Sequence, residues 1–161
     1  MVETSFDDRI FGHGQSFSGH ALGAAAALAS IDVLHDEGLL ERTRELGAYL
    51  GTRLHALAAA HPCVGDVRGL GLFWTMELVR DRATKEPLRR ATEKYERGIV
   101  KDVSEYLFRE RDIYVPSDKF GLWVVPPLVV TRDELDWVCA ALDDALGLAD
   151  RLLASGSAPA S

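Results

Sequence analysis

Between residues 70 and 78 the large apolar side chains stand at every second position, as Leu70, Leu72, Trp74, Met76 and Leu78, whereas before and after that stretch they recur at every third or fourth. This change of period constrains the fold more than any other feature of the chain. A segment alternating at two is a strand with one face to bury, and a segment repeating near 3.6 is a helix with one stripe to bury. The spacing predicts a single long strand over Leu70–Val79. Upstream, the alanine run 24–27 followed by Leu28, Ile31 and Leu34 predicts a small-residue helix within Ser18–His35, a face another backbone can approach closely. After Gly38 a second helix places Leu39, Leu46, Leu50, Leu54 and Leu57 on one side, with Arg42, Arg44, Glu45 and Arg53 largely on the other, and Pro62 ends it. Downstream, Arg80–Glu93 is polar, contains Pro87 and reads as a loop. Ile99, Val103, Tyr106 and Leu107 mark a third helix, Ile113–Val115 a short strand, and Leu122–Val125 another strand. Pro126 and Pro127 close that strand, as expected of a strand end or edge. Thr131-x-x-Glu134 is a capping box opening a last helix with Leu135, Val138, Leu142 and Leu146 along its stripe. The tail 154–161 has no periodicity and is expected to be disordered.

The 161 residues carry a formal net charge of -7, which argues against nucleic acid, since phosphate backbones demand clustered Lys and Arg. No apolar run approaches the ~20 residues of a membrane span, so no membrane partner is expected. Cys63 and Cys139 are too few for a disulfide framework, and their apolar neighbours suggest buried thiols in a reducing compartment. The acidic N-terminus lacks the basic and apolar regions of a signal peptide, so the expected location is cytoplasmic.

Chemistry concentrates in residues 12–20, Gly-His-Gly-Gln-Ser-Phe-Ser-Gly-His. Three glycines can expose backbone N–H groups, and hydroxyls beside them at the start of a helix suit a phosphate. The plainer reading is a glycine-rich connection before a helix. Other site types fit less well. Gly14-Gln-Ser-Phe-Ser18 misses the second glycine of a serine-hydrolase nucleophile elbow and has no strand before it. Gly69-x-Gly71 meets Trp74 where a dinucleotide fingerprint needs its third glycine. His13 and His20 have no metal-ligand partners at recognisable spacing, so no metal site is expected.

The loop resembles the His-Gly-x-Thr-(Tyr/Phe)-Ser-Gly-His-Pro segment of class III aminotransferases, pyridoxal-phosphate (PLP) enzymes acting on ω-amino and related amino acids. Two further stretches are similar to that family in the same order. Val64-Gly-Asp-Val-Arg-Gly-Leu-Gly-Leu, running on to Glu77-Leu78, looks like its entry into the small C-terminal domain, and Val124-Val-Pro-Pro-Leu-Val-Val-Thr-Arg-Asp-Glu-Leu135 like the segment before its final helix. The resemblance covers residues 6–149. It implies an α/β fold, the C-terminal portion of a fold-type-I PLP-dependent transferase with an α+β small domain. Residues 1–37 would end the large PLP domain, 38–62 form a linking helix, 63–153 the small domain, and 154–161 the tail.

The resemblance further implies that Ser16, where the family has Thr, and its predecessor Gln15 reach the PLP phosphate of a neighbouring subunit. It implies transfer of an amino group from an amine or ω-amino acid to a keto acid such as pyruvate, in a homodimer or with a second chain carrying the large domain. No catalytic residue is carried over. The family's Schiff-base lysine lies upstream of the matched region, and Lys85, Lys94, Lys101 and Lys119 sit in polar or amphipathic surroundings that leave an amine charged. Arg68, beside two glycines, reads as structural at the domain junction. Many members carry an Arg shortly before Pro-Pro to hold the substrate carboxylate, whereas Trp123 stands three residues before Pro126, leaving the amino donor open. The alternatives to an active transferase segment are a non-catalytic interaction or regulatory protein derived from one, or one half of a split enzyme.

Overall fold

The structure is a computed structural model that describes residues 14, 16–88 and 98–155. The expectations for Gln15, Lys94, the polar stretch beyond residue 88 and the tail beyond residue 155 lie outside the described residues. The chain divides into two compact units, Met1–Gly38 and Leu39–Ser161.

In the first unit, turn residues 16–20 lead into α1, Ala21–Asp36. Its alanines favour helix with no rotamer cost. The helix closes through Glu37 N–H to the Val33 carbonyl (3.0 Å) and Gly38 N–H to that of His35 (3.1 Å), with Gly38 at φ +61° supplying the left-handed stop. No residue of α1 is buried, although Leu22, Leu28, Ile31 and Val33 are large and apolar.

The second unit begins with α2, Leu39–Ala60, ending before Pro62 as its sequence predicts. Leu39, Leu50 and Leu54 are buried, with Leu46 and Leu57 packed at the margin of the core. Two of the four charges expected in solvent are instead used for cohesion. Arg42 donates to the carbonyls of Val129 (3.3 Å) and Val130 (2.6 Å), and Arg53 pairs with Asp136 at 2.8 Å, so both tie α2 to the start of the last helix.

The predicted long strand is a correction. The chain makes β1, Val64–Leu70, turns at Gly71–Leu72, and returns as β2, Phe73–Asp81. The pair is antiparallel, with Val67 opposite Met76 and Leu70 opposite Phe73. Gly71, at φ +57°, permits this tight turn. Leu70, expected on the core face, is therefore 87% exposed, while Met76 and Leu78 are fully buried. Glycines in α2 make room for the hairpin: a Cβ at Gly47 would stand 2.5 Å from Gly71 Cα, and one at Gly51 2.5 Å from the Trp74 ring. Trp74 Nε1 donates to the Gly71 carbonyl at 2.7 Å and locks the turn.

The Arg80–Glu93 expectation also changes. β2 runs on to Asp81, whose carboxylate accepts from Thr84 N–H (2.7 Å) and Oγ1 (2.9 Å), and the chain folds back as β3, Glu86–Pro87, against β2. Next comes α3, Ile99–Glu110, burying Ile99, Val100, Val103 and Leu107. Ile113–Val115 is not a strand: Ile113 N–H bonds the Leu107 carbonyl (3.0 Å) and the Ser104 hydroxyl donates to that of Val115 (2.8 Å), so α3 satisfies groups a ladder would have taken. The alternation survives, with Ile113 and Val115 buried and Tyr114 exposed. β4, Gly121–Val124, pairs antiparallel with β2, placing Leu122 opposite Met76 and Trp123 opposite Thr75. β2 is thus the central strand between β1 and β4.

The last helix, α4, Arg132–Ala154, opens with the predicted capping box: Glu134 N–H donates to Thr131 Oγ1, and Thr131 N–H to the Glu134 carboxylate at 2.7 Å. Leu135, Leu142 and Leu146 are fully buried, Val138 packs partly against the core, and the helix continues into Ala154, which the sequence had assigned to the tail. Helices α2, α3 and α4 and the inner sheet face share one core, to which Leu50, Leu54, Met76, Leu122, Leu142 and Leu146 contribute; the outer sheet face carries Arg68, Thr75, Glu77 and Trp123.

Candidate functional site

Ser16 lies on the exposed turn 16–19 that leads into α1. Phe17 at φ +64° and Gly19 at φ +76° reverse the chain, and His20 N–H closes the turn on the Phe17 carbonyl at 3.1 Å. A non-glycine residue in the left-handed region is uncommon and costs backbone strain. At His20, the N-cap, the side chain makes no capping hydrogen bond, and the first turn of α1 contains no acidic residue. The first backbone N–H groups of α1 therefore donate no hydrogen bond to the N-cap side chain, and the turn before them carries the hydroxyls of Ser16 and Ser18. Space around Gly14 and Gly19 is open, since a Cβ at either would meet nothing within 4 Å. This donor set fits a phosphate: hydroxyl, uncapped helix N–H groups and, among the described residues, no acidic side chain in the first turn of α1 to repel the anion. Gln15 and His13 lie outside the described residues.

In the second unit, the outer sheet face carries the polar groups of the second sequence match. Arg68 Nη1 bonds Asp66 and Glu77, each at 2.8 Å, and sits opposite Thr75. The hydrogen bond from Arg68 holds the Asp66 carboxyl below its ordinary range. These groups border a shallow cleft of about 220 Å³ lined by Arg68, Thr75, Glu77, Asp118, Phe120 and Gly121. Asp118 shapes its rim by accepting from Phe120 N–H (2.7 Å) and Gly121 N–H (2.9 Å). Trp123 is 41% exposed on the same sheet face. Arg68 is thus charge-balanced by its own neighbours, an arrangement that the alternation of β1 and β2 produces only once the hairpin forms.

Lys85, Lys101 and Lys119 are exposed; Lys85 donates to the Gly65 carbonyl (2.7 Å) and Lys119 lies 4.8 Å from the Phe120 ring centroid. None is in the desolvated setting that keeps an amine neutral. Both cysteines are buried and free, and burial raises both thiols, so neither is a nucleophile. Among the described residues no His, Cys, Asp and Glu group is arranged to hold a metal ion, and no helix is long and apolar enough to cross a membrane. One cluster escaped the sequence reading: His61 held between Asp143 and Asp150. Its signal was the seven-residue spacing of the two aspartates, which stacks them on one helix face.

Comparison with known proteins bears on the family of the chain. The family profile described as aminotransferase class-III matches residues 4–146. The chain is 36% identical over 138 residues to a taurine–pyruvate aminotransferase of Bilophila wadsworthia, covering 86% of this chain and 30% of that protein. It is 39% identical over 132 residues to an ornithine aminotransferase of Bordetella pertussis, covering 81% of this chain and 27% of that one. Among solved structures, an (S)-enantioselective omega-transaminase from Thermomicrobium roseum matches with TM-score 0.72 at 36% identity, over 87% of this chain and 30% of that chain. A taurine:2-oxoglutarate aminotransferase from Bifidobacterium kashiwanohense, solved with PLP and glutamate, shares the fold with TM-score 0.81 at 23% identity. The chain thus spans about 30% of the length of these relatives. By its profile match over most of its length and its likeness to these transaminases, the chain belongs to the class III aminotransferase family.

Proposed function

We propose that this chain forms the C-terminal segment of a PLP-dependent aminotransferase that moves an amino group from an amine or ω-amino acid to a keto acid such as pyruvate. The observation that carries the reading is the Ser16 turn feeding an uncapped N-terminus of α1 whose first turn has no acidic residue, in a chain of this family. Ser16 and Gln15 would hold the phosphate of PLP, with the N–H groups at the start of α1 adding their dipole. When bound, PLP supplies the electron sink that lets an amino group leave one carbon and join another. The residues of this chain bind and orient. The Ser16 hydroxyl donates to a phosphate oxygen and fixes the cofactor's position, and the small domain contributes one wall of the substrate cleft. Residues outside this sequence provide the catalytic lysine, in a homodimer or from a second chain carrying the large PLP domain, and the compartment is cytoplasmic.

The exposed apolar side chains of α1 favour a role completed by such a partner. The test is PLP titration into the assembled enzyme with Ser16→Ala and Ser16→Thr. A charge-assisted hydrogen bond is worth roughly 1.5–3 kcal/mol, so Ser16→Ala weakens PLP about ten- to a hundred-fold while Ser16→Thr keeps the affinity. Inorganic phosphate added to the chain alone gives a second readout, shifting the amide resonances of residues 16–23. Unchanged PLP affinity in Ser16→Ala overturns the phosphate role.

A further inference from the structure

His61 follows α2 at the corner where the chain turns into β1, and its ring is taken up on both sides by α4. Nδ1 lies 2.7 Å from Asp150 Oδ2 and Nε2 lies 2.8 Å from Asp143 Oδ1. A carboxylate only accepts, so both contacts are hydrogen bonds when both ring nitrogens carry protons, which is the imidazolium. A neutral imidazole has a single N–H and must turn a lone pair towards one of the two carboxylates. The arrangement therefore has two states with different attachments of α4.

The two carboxylates are not equivalent. Asp150 is only 25% exposed and its other oxygen accepts from Cys63 N–H at 2.9 Å, which fixes it in place. Asp143 is 57% exposed and free to turn into water. The His61 side chain is 12% exposed, so the ring cannot swing out in its stead. The other charged groups around it do not compete for the ring. Arg82, from the β2–β3 turn, bonds the backbone carbonyls of His61, Ala58 and Val64, and Arg151 Nη1 and the His61 Cε1 edge both lie beside Gly147 of α4. The Cys63 thiol is buried and neutral.

We propose that His61 is a proton-operated latch between the α2–β1 corner and α4: protonated, it holds Asp143 and Asp150 together, and deprotonated, it releases Asp143 while keeping Asp150 through Nδ1–H. The ionisation agrees with the geometry. Burial opposes the charge, and the hydrogen bonds to Asp143 and Asp150 outweigh it, holding the imidazole above its ordinary value. The latch spans positions 143–150 of α4, about two turns, so its opening removes one of two ties on the C-terminal half of that helix, while Asp150 stays bound and Leu142, Leu146 and Ala149 keep their apolar packing.

Long-range ¹H–¹⁵N spectra of the full chain from pH 5 to 10 test this. The expected His61 midpoint lies above the ordinary value of about 6.5, and the neutral ring carries its proton on Nδ1. Asp143→Asn, a change at an exposed position, lowers the midpoint and leaves the Nδ1–H form. Asp150→Asn lowers it and moves the neutral proton to Nε2, towards Asp143. Amide protection factors over residues 143–153, corrected for intrinsic exchange, fall several-fold as the pH rises through the midpoint, and a His61→Phe variant shows no such step. A midpoint at or below the ordinary value, a neutral Nε2–H ring in the parent chain, an Asp143→Asn midpoint equal to the parent's, or protection that stays flat through the midpoint would each overturn the latch.

Discussion

Replacing Gly47 with alanine sets two effects of known size against each other. Gly47 lies within α2, where alanine is favoured over glycine by about 1 kcal/mol, so on local grounds the change stabilises. The added Cβ, however, would stand 2.5 Å from Gly71 Cα and press on the Gly71 carbonyl. These are backbone atoms in a tight turn, and they cannot rotate away as a flexible side chain would. The carbonyl already accepts from Trp74 Nε1 at 2.7 Å, so moving it also strains a hydrogen bond worth about 1 kcal/mol. Overpacking costs about 1–3 kcal/mol, so the sum favours the parent by about 1–3 kcal/mol. For a chain of this size that corresponds to a melting temperature lower by about 2–10 °C. Urea and thermal unfolding by circular dichroism measure it. Gly23→Ala is the control: it is the same chemical change in α1, where a Cβ meets nothing within 4 Å, and it raises helix content without a penalty. A Gly47→Ala chain as stable as the parent would show that the hairpin turn does not rest on α2 as described.

Thr131→Ala removes the hydroxyl that accepts from Glu134 N–H and lowers stability by about 1 kcal/mol, read as a shift in urea midpoint at unchanged slope. Stability should also fall at both ends of the pH range. Asp150 titrates below its ordinary value: burial works against its charge, but the hydrogen bonds from His61 and Cys63 prevail, so its contribution is present above the ordinary aspartate value of about 3.9 and is lost as pH falls through the depressed value. His61 is raised, so its contribution is complete below about 6.5 and is lost as pH rises through its folded value; unfolding curves that stay level from pH 6 to 10 in the parent would contradict this. The chain without a partner should neither transaminate nor carry a stoichiometric borohydride-reducible PLP label on one lysine, because the described lysines, Lys85, Lys101 and Lys119, are exposed and Lys94 lies in a polar stretch of the sequence; peptide mapping after reduction decides it.

Local pattern determined much of this protein. Helices α2, α3 and α4 were legible because each carries its own apolar stripe, and α1 because of its alanines; so were β4, closed by Pro126 and Pro127, and the capping box, whose two partners lie three residues apart. The glycine loop and the two later motifs were enough to point to the family, since they are continuous stretches whose order survives without any knowledge of contacts. Tertiary structure decided what depends on distant partners. The alternation at 70–78 has the same period in one long strand as in the second arm of a hairpin, and only α2, with glycines at 47 and 51, makes room for the turn at Gly71–Leu72. Arg42 and Arg53 look like solvated charges until the start of α4 is brought beside them, and Arg68, read from sequence as structural, has its partner Glu77 named only once the hairpin sets the two side by side. His61 is more than 80 residues from both of its carboxylates, a separation that periodicity along the chain does not carry. Stripes and caps are written in neighbours three and four residues apart, whereas turn placement, charge pairing and the protonation of His61 are set by groups that meet only when helices and sheet pack together.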